Sequence, residues 1–69
     1  MKLVIDGTEV DLNETNHWLS ATTDDGYVVG VADVGNGWCA KAVMAGVAAM
    51  SWGDTAQEAA DSVLEAVRR

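Results

Sequence analysis

The chain has 69 residues, with eleven acids against four bases for a formal charge of −7. A chain of this length makes one small domain that buries only about 60% of its unfolded surface. One cysteine and one histidine provide neither an intrachain disulfide nor a structural zinc site, so association with another molecule is the remaining aid to stability.

The charge is unevenly spread. Between Leu3 and Val67 the only base is Lys41, while all eleven acids lie in that span. Such a chain repels nucleic acid and anionic membranes and attracts a basic protein surface, although a moderate net charge also serves plain solubility. The lone thiol suits a reducing cytoplasm. No apolar run is long enough to span a bilayer, and Met1–Asp6 meets an acid and then a glycine too soon for a signal peptide.

In chain order, Leu3-Val4-Ile5 and Thr8–Leu12 flank Asp6-Gly7, a strong two-residue hairpin signal. The hairpin spans 2–12, with Ile5 opposite Thr8, Leu3 opposite Val10, Val4 opposite Glu9, and Lys2 opposite Asp11 as a cross-strand ion pair. Asn13–Asn16 reads as a polar loop. A meander over 17–52 follows. Its first strand is His17–Thr22, its first turn Asp24-Asp25-Gly26, and its second strand Tyr27–Ala32, rich in β-branched residues. Gly35-Asn36-Gly37 is the next turn.

Trp38–Trp52 reads either as a helix over Lys41–Met50, on its alanines and methionines, or as two strands, Trp38–Met44 and Val47–Trp52, turning at Ala45-Gly46. The two-strand reading is preferred. It pairs Ala42 with Ala49, Lys41 with Met50 and Cys39 with Trp52, and the preceding hairpin pairs Val31 with Ala42 and Val29 with Met44. Gly53 then turns the chain by its dihedral freedom.

Thr55 and Glu58 form a capping box, and a helix over 55–68 carries Ala56, Ala59, Ala60, Val63, Leu64 and Val67 on one stripe. Gln57, Asp61, Ser62, Glu65 and Arg68 fall on its wet side, and Arg68 and Arg69 sit at the negative end of the helix dipole. The predicted fold is α+β, an antiparallel β-meander with one C-terminal amphipathic helix packed on one face.

That helix covers Val29, Val31, Ala40, Ala42, Met44, Val47 and Ala49. The opposite face carries Val28, Cys39, Val43, Ala48, Met50 and Trp52, with Lys41 as its only charge. A wet sheet face is ordinarily polar, so this apolar one reads as an interaction surface. The residues expected to bind a partner are Trp52, Met50, Val43, Cys39 and Lys41, with Asp24 and Asp25 contributing charge. Lys41, at the centre of the patch, needs an acidic mate if it is buried.

Catalytic patterns are sparse. His17 has no acid beside it in sequence, and nothing near Cys39 would lower its pKa. Asp24-Asp25 lacks the spaced oxygens of a calcium loop, and Gly35-Asn36-Gly37 lacks the helix and lysine of a phosphate loop. The reading is a non-enzyme without cofactor or metal, which binds a basic protein partner or a second copy of itself as a homodimer. An enzyme using His17 or Cys39 is the alternative of another class.

Trp52-Gly53-Asp54-Thr55-Ala56-Gln57-Glu58-Ala59-Ala60 resembles the strand-to-helix junction of HicB-type antitoxins, and Asp24-Asp25-Gly26-Tyr27-Val28-Val29 resembles that family's first hairpin. The likeness covers roughly Trp18–Val67. It departs where Ala32-Asp33-Val34-Gly35 replaces a proline-containing segment, and Trp38–Trp52 is longer than the family's stretch. The resemblance implies a helix packed on a meander and toxin neutralisation by direct binding. In general character the chain also looks like small phage inhibitors of host defence, such as anti-CRISPR proteins, which implies a partner that handles nucleic acid.

Overall fold

The computed structural model, which describes residues 1–69, places seven strands ahead of one helix. The first hairpin follows from its turn. Asp6 and Gly7 adopt φ of 54° and 77°, the double left-handed geometry whose twist matches that of paired strands. It joins β1 (Lys2–Ile5) to β2 (Thr8–Asp11) in the register expected, Ile5 with Thr8 through Lys2 with Asp11. The ion pair is not the one directly across. Lys2 Nζ lies 3.2 Å from Glu9 Oε1 instead, a diagonal reach that a long lysine makes easily.

The second sheet runs β3 (Asn13–Thr15), β4 (Trp18–Thr22), β5 (Val28–Asp33), β6 (Trp38–Met44) and β7 (Val47–Gly53), each antiparallel to its neighbour in chain order. Three boundaries correct the sequence reading. Asn13–Thr15 is a short strand rather than a loop, paired with Ser20, Leu19 and Trp18. His17 is not the start of a strand: with Asn16 it forms the two-residue β3–β4 turn, at φ of 50° and 71°. Tyr27 precedes β5 and is buried, its N–H donating to Thr23 Oγ1 at 3.0 Å.

The β5–β6 register differs by two residues from the one expected. Val31 faces Ala40 and Val29 faces Ala42. A two-residue Asn36-Gly37 turn would have set the expected pairing, but the connection is Val34–Gly37. It is closed by Val34 N–H donating to Gly37 O at 3.0 Å and by Asp33 Oδ1 accepting from Gly35 N–H at 2.8 Å. A slip of two leaves every side chain on its expected face, because side chains alternate with period two. The β6–β7 pairs are as expected, including Cys39 with Trp52, Lys41 with Met50 and Ala42 with Ala49.

The helix, α1, spans Ala56–Val67 with Thr55 as N-cap. Thr55 Oγ1 accepts from Glu58 N–H at 3.1 Å. The returning bond goes one residue further than in a regular capping box, from Asp54 N–H to Glu58 Oε2 at 3.2 Å. Gly53 is required by close approach rather than by its dihedrals: a Cβ there would lie 2.7 Å from Ala59 N and 2.9 Å from Glu58 Cβ.

The helix stripe buries Ala56, Ala59, Ala60, Val63 and Leu64 against Val29, Val31, Ala40 and Ala42 in one core that also takes Leu3, Ile5, Leu12 and Tyr27. Val29, Val31 and Val63, at 1%, 0% and 0% exposure, each contribute about 1.5–3 kcal/mol. The alanines on both sides let sheet and helix approach closely. Val47, expected under the helix, is exposed at the turn end of β7.

Polar bonds lock the layers. Gln57, expected on the wet side, clamps β1: its Nε2 donates to Val4 O and its Oε1 accepts from Val4 N–H, both at 2.8 Å. Ser62 meets Ser51 of β7 at 2.6 Å. Arg68 turns back over the helix end to reach Asp6 of the first hairpin turn and Asp25 of the β4–β5 turn.

Candidate interaction face

Side chains of paired residues share a face, so the registers define the uncovered side of the five-stranded sheet. From β3 to β7 it presents Asn13 and Thr15; Trp18, Ser20 and Thr22; Val28, Gly30 and Ala32; Cys39, Lys41 and Val43; and Ala48, Met50 and Trp52. None of the eleven acids is on this face. Its β3–β4 half is polar apart from Trp18, and its β5–β7 half is apolar. Trp52 is 64% exposed and Met50 53%, with Val28 and Val43 exposed beside them. These are the largest bare apolar groups of the sheet, and they are contiguous.

Lys41, on β6, stands within the apolar half as its only charge. Its Nζ lies 4.3 Å from the centre of the Trp18 ring, a cation–π contact. Gly30 makes the contact possible: it is Lys41's partner across the ladder, and a Cβ on it would come within 3.2 Å of both Lys41 Cε and Trp18 Cε3. The mate of Lys41 is therefore an aromatic ring of the same sheet rather than an acid. Sequence reasoning placed Lys41 but missed Trp18 and Gly30. A lone glycine in the middle of a β-branched strand was the available signal, since such a residue marks a close approach.

Cys39 lies on this face but is only 4% exposed, flanked by its ladder partners Ala32 and Trp52. It forms part of the floor of the patch. His17 sits elsewhere, at the β3–β4 turn, in a shallow groove with Glu14, Asp33 and Trp38.

The acidic turn expected to meet a partner is partly occupied. Asp25 accepts from Arg68 Nη2 at 2.8 Å and Nε at 3.2 Å, and from Thr23 Oγ1 at 2.6 Å. The same guanidinium donates to both carboxylate oxygens of Asp6, at 2.6 and 3.0 Å. Hydrogen bonds from Arg68 hold the Asp6 carboxyl below its ordinary value. They do the same for Asp25, helped by the Thr23 hydroxyl, and the two carboxylates in turn raise the pKa of Arg68. One arginine thus ties the first hairpin turn, the β4–β5 turn and the helix end together. Asp24 is exposed on that turn and unpaired by any salt bridge.

Compared with protein-family models, curated proteins and solved structures, the chain matches none. No helix is long and apolar enough to cross a membrane, and no group of three or more His, Cys, Asp or Glu side chains is placed to hold a metal ion.

Proposed function

We propose that this chain is a small acidic protein-binding module that works by occupying a partner's surface, without chemistry of its own. One observation carries the reading: a contiguous apolar face, free of acids, on a chain whose formal charge is −7. Exposed Trp and Met are residue types enriched where proteins meet, and a bare patch of this kind on a small domain marks an interaction site. The acids lie away from the face, on turns, hairpin and helix and, for Glu14 and Asp33, on the other side of the sheet, where they attract a basic partner and speed encounter. The fitting partner is a basic protein, of the kind that handles nucleic acid, and the activity is inhibitor-like or antitoxin-like neutralisation in the cytoplasm.

The test is capture of partners from the native host by tagged wild type and by Val43→Glu, which places an acid between Val28 and Ala48 on the face without touching the core. A basic protein retained by wild type and lost with Val43→Glu, at unchanged circular dichroism, is the expected result. Equal capture by both proteins, or no specific capture by wild type, overturns the reading.

A further inference from the structure

The fold has four strand edges, and it protects three of them. The outer edge of β1 is covered by Gln57, whose amide takes both the N–H and the C=O of Val4. The outer edge of β2 is four residues long and carries Glu9 and Asp11. The edge at β3 is three residues long and carries Glu14. Short length and charge are the usual defences of an edge. The fourth, β7, has none of them. It is seven residues long, Val-Ala-Ala-Met-Ser-Trp-Gly, unbroken in its pairing with β6, and no strand lies on its other side. It holds no charge and no proline. It belongs to an uncharged run, Ala42–Gly53, the longest in the chain.

We infer that β7 pairs antiparallel with β7 of a second copy, joining two five-stranded sheets into one. The inference rests on this edge and not on what the outer face binds. The ladder shows which groups are free. A two-residue loop makes its flanking pair, Met44 and Val47, a hydrogen-bonded one, and the pattern then alternates. The first hairpin obeys the same rule, which is why Val4 points outward to Gln57. In β7 the outward residues are Ala48, Met50 and Trp52.

A two-fold axis at Met50 sets Met50 against Met50, and Ala48 against Trp52 on each side. Every outward N–H and C=O of the three then has a partner. The large indole falls beside the small alanine, so the face stays level across the seam. A chain this acidic repels its copy least where acids are absent, and β7 carries none.

The helix agrees. Ser62 bonds to Ser51 on β7, while Gln57 bonds to β1, so the Ser62 side of α1 faces the β7 edge. Ala66, one turn on, and Glu58, one turn back, both exposed, share that side. Two helices brought alongside by the strand pairing present Ser62 and Ala66 to each other, small residues that allow close packing.

Sedimentation of the wild type across a wide concentration range, with two variants, tests this. Ala48→Pro removes one outward N–H, which an edge strand tolerates, and Ala66→Glu sets acid against acid on the helix side. The wild type is expected to sediment as a dimer, with slowed amide exchange at Met50 as concentration rises. Ala66→Glu is expected to weaken the dimer at least tenfold, with recovery in high salt. Ala48→Pro is expected to be a folded monomer, and if it does not fold, Ala66→Glu decides. Val43→Glu, which lies off the edge, leaves the dimer intact, so failure here is separable from failure of the face. A wild type that stays monomeric throughout, including one that pairs only with another protein's strand, overturns the inference. So does a dimer indifferent to both variants.

Discussion

Gly53→Ala tests the junction between sheet and helix. The added Cβ would stand 2.9 Å from Glu58 Cβ, 3.1 Å from Glu58 C and 2.7 Å from Ala59 N, where carbon pairs prefer about 3.5–4.0 Å. Two of the three atoms are backbone, so no rotamer change relieves the contact. The first turn of α1 must move bodily away from β7, by about 0.6 Å to bring the Cβ pair from 2.9 Å to about 3.5 Å. That motion loosens the alanine packing and pulls on the Thr55–Glu58 cap. Overpacking costs about 1–3 kcal/mol and a lost cap about 1 kcal/mol, so about 2–4 kcal/mol together. For a domain this small, about 4–8 °C per kcal/mol gives a fall in Tm of about 10–30 °C. Urea unfolding followed by circular dichroism and tryptophan fluorescence measures the free-energy loss, and a thermal melt the fall in Tm. Gly46→Ala is the control: nothing lies within 4 Å of its Cβ and only its φ of 77° resists a side chain, which costs about 1–2 kcal/mol. A Gly53→Ala midpoint within about 0.5 kcal/mol of wild type, or a smaller loss than Gly46→Ala shows, refutes the steric argument.

Thr55→Ala removes the side-chain acceptor for Glu58 N–H and is expected to cost about 1 kcal/mol in a denaturant titration; an unchanged midpoint counts against the cap. Arg68→Gln tests the clamp. The Asp6 and Asp25 carboxyls are depressed in the folded state, so their stabilisation is present above the ordinary carboxylate range and is lost as pH falls through the folded values. Wild type should therefore lose stability more steeply than Arg68→Gln on acidification below that range, and salt should narrow the gap near neutrality; parallel pH profiles would show the clamp to be idle. His17→Gly relieves a left-handed residue at φ 71° and is expected to raise stability by about 1 kcal/mol, seen as a higher Tm; a decrease would mean that the imidazole makes a contact worth more than the strain.

The local signals in the sequence were read most faithfully where chemistry admits one answer. Asp6-Gly7 set its hairpin and register, and Thr55 with Glu58 set the helix start. Trp38–Trp52 forms two strands despite good helix propensity because Gly46 would interrupt a helix and the alternation of alanines fits a pleat. The β5–β6 connection misled because Asn36-Gly37 offers a two-residue turn, whereas Asp33 captures Gly35 N–H and widens the loop. Asn16-His17 lacks the glycine of the other two-residue turns, Asp6-Gly7 and Ala45-Gly46, so His17 reads as a strand residue beside Trp18, although asparagine and histidine are both enriched at positive φ. The composition of the outer face is legible on β5–β7, because the two-residue slip between β5 and β6 leaves every side chain on its face. Its β4 part is not, since the position of Trp18 depends on that unread turn. The roles of Gln57 and Arg68 lie beyond periodicity: both look solvent-facing on a helical wheel, and only the placement of the N-terminal hairpin and of the β4–β5 turn gives them partners.

The position of the helix in the chain has a consequence for truncated chains. All seven strands precede α1. A chain cut short before Ala56, by premature release or by proteolysis, keeps every strand but loses the cover of the inner face. Ala40 and Ala42, sealed in the finished molecule, are then as bare as Met50 and Trp52 on the other side. Such a fragment is apolar on both faces and open along β7, so a truncated product of this chain is an aggregation hazard rather than a harmless remnant.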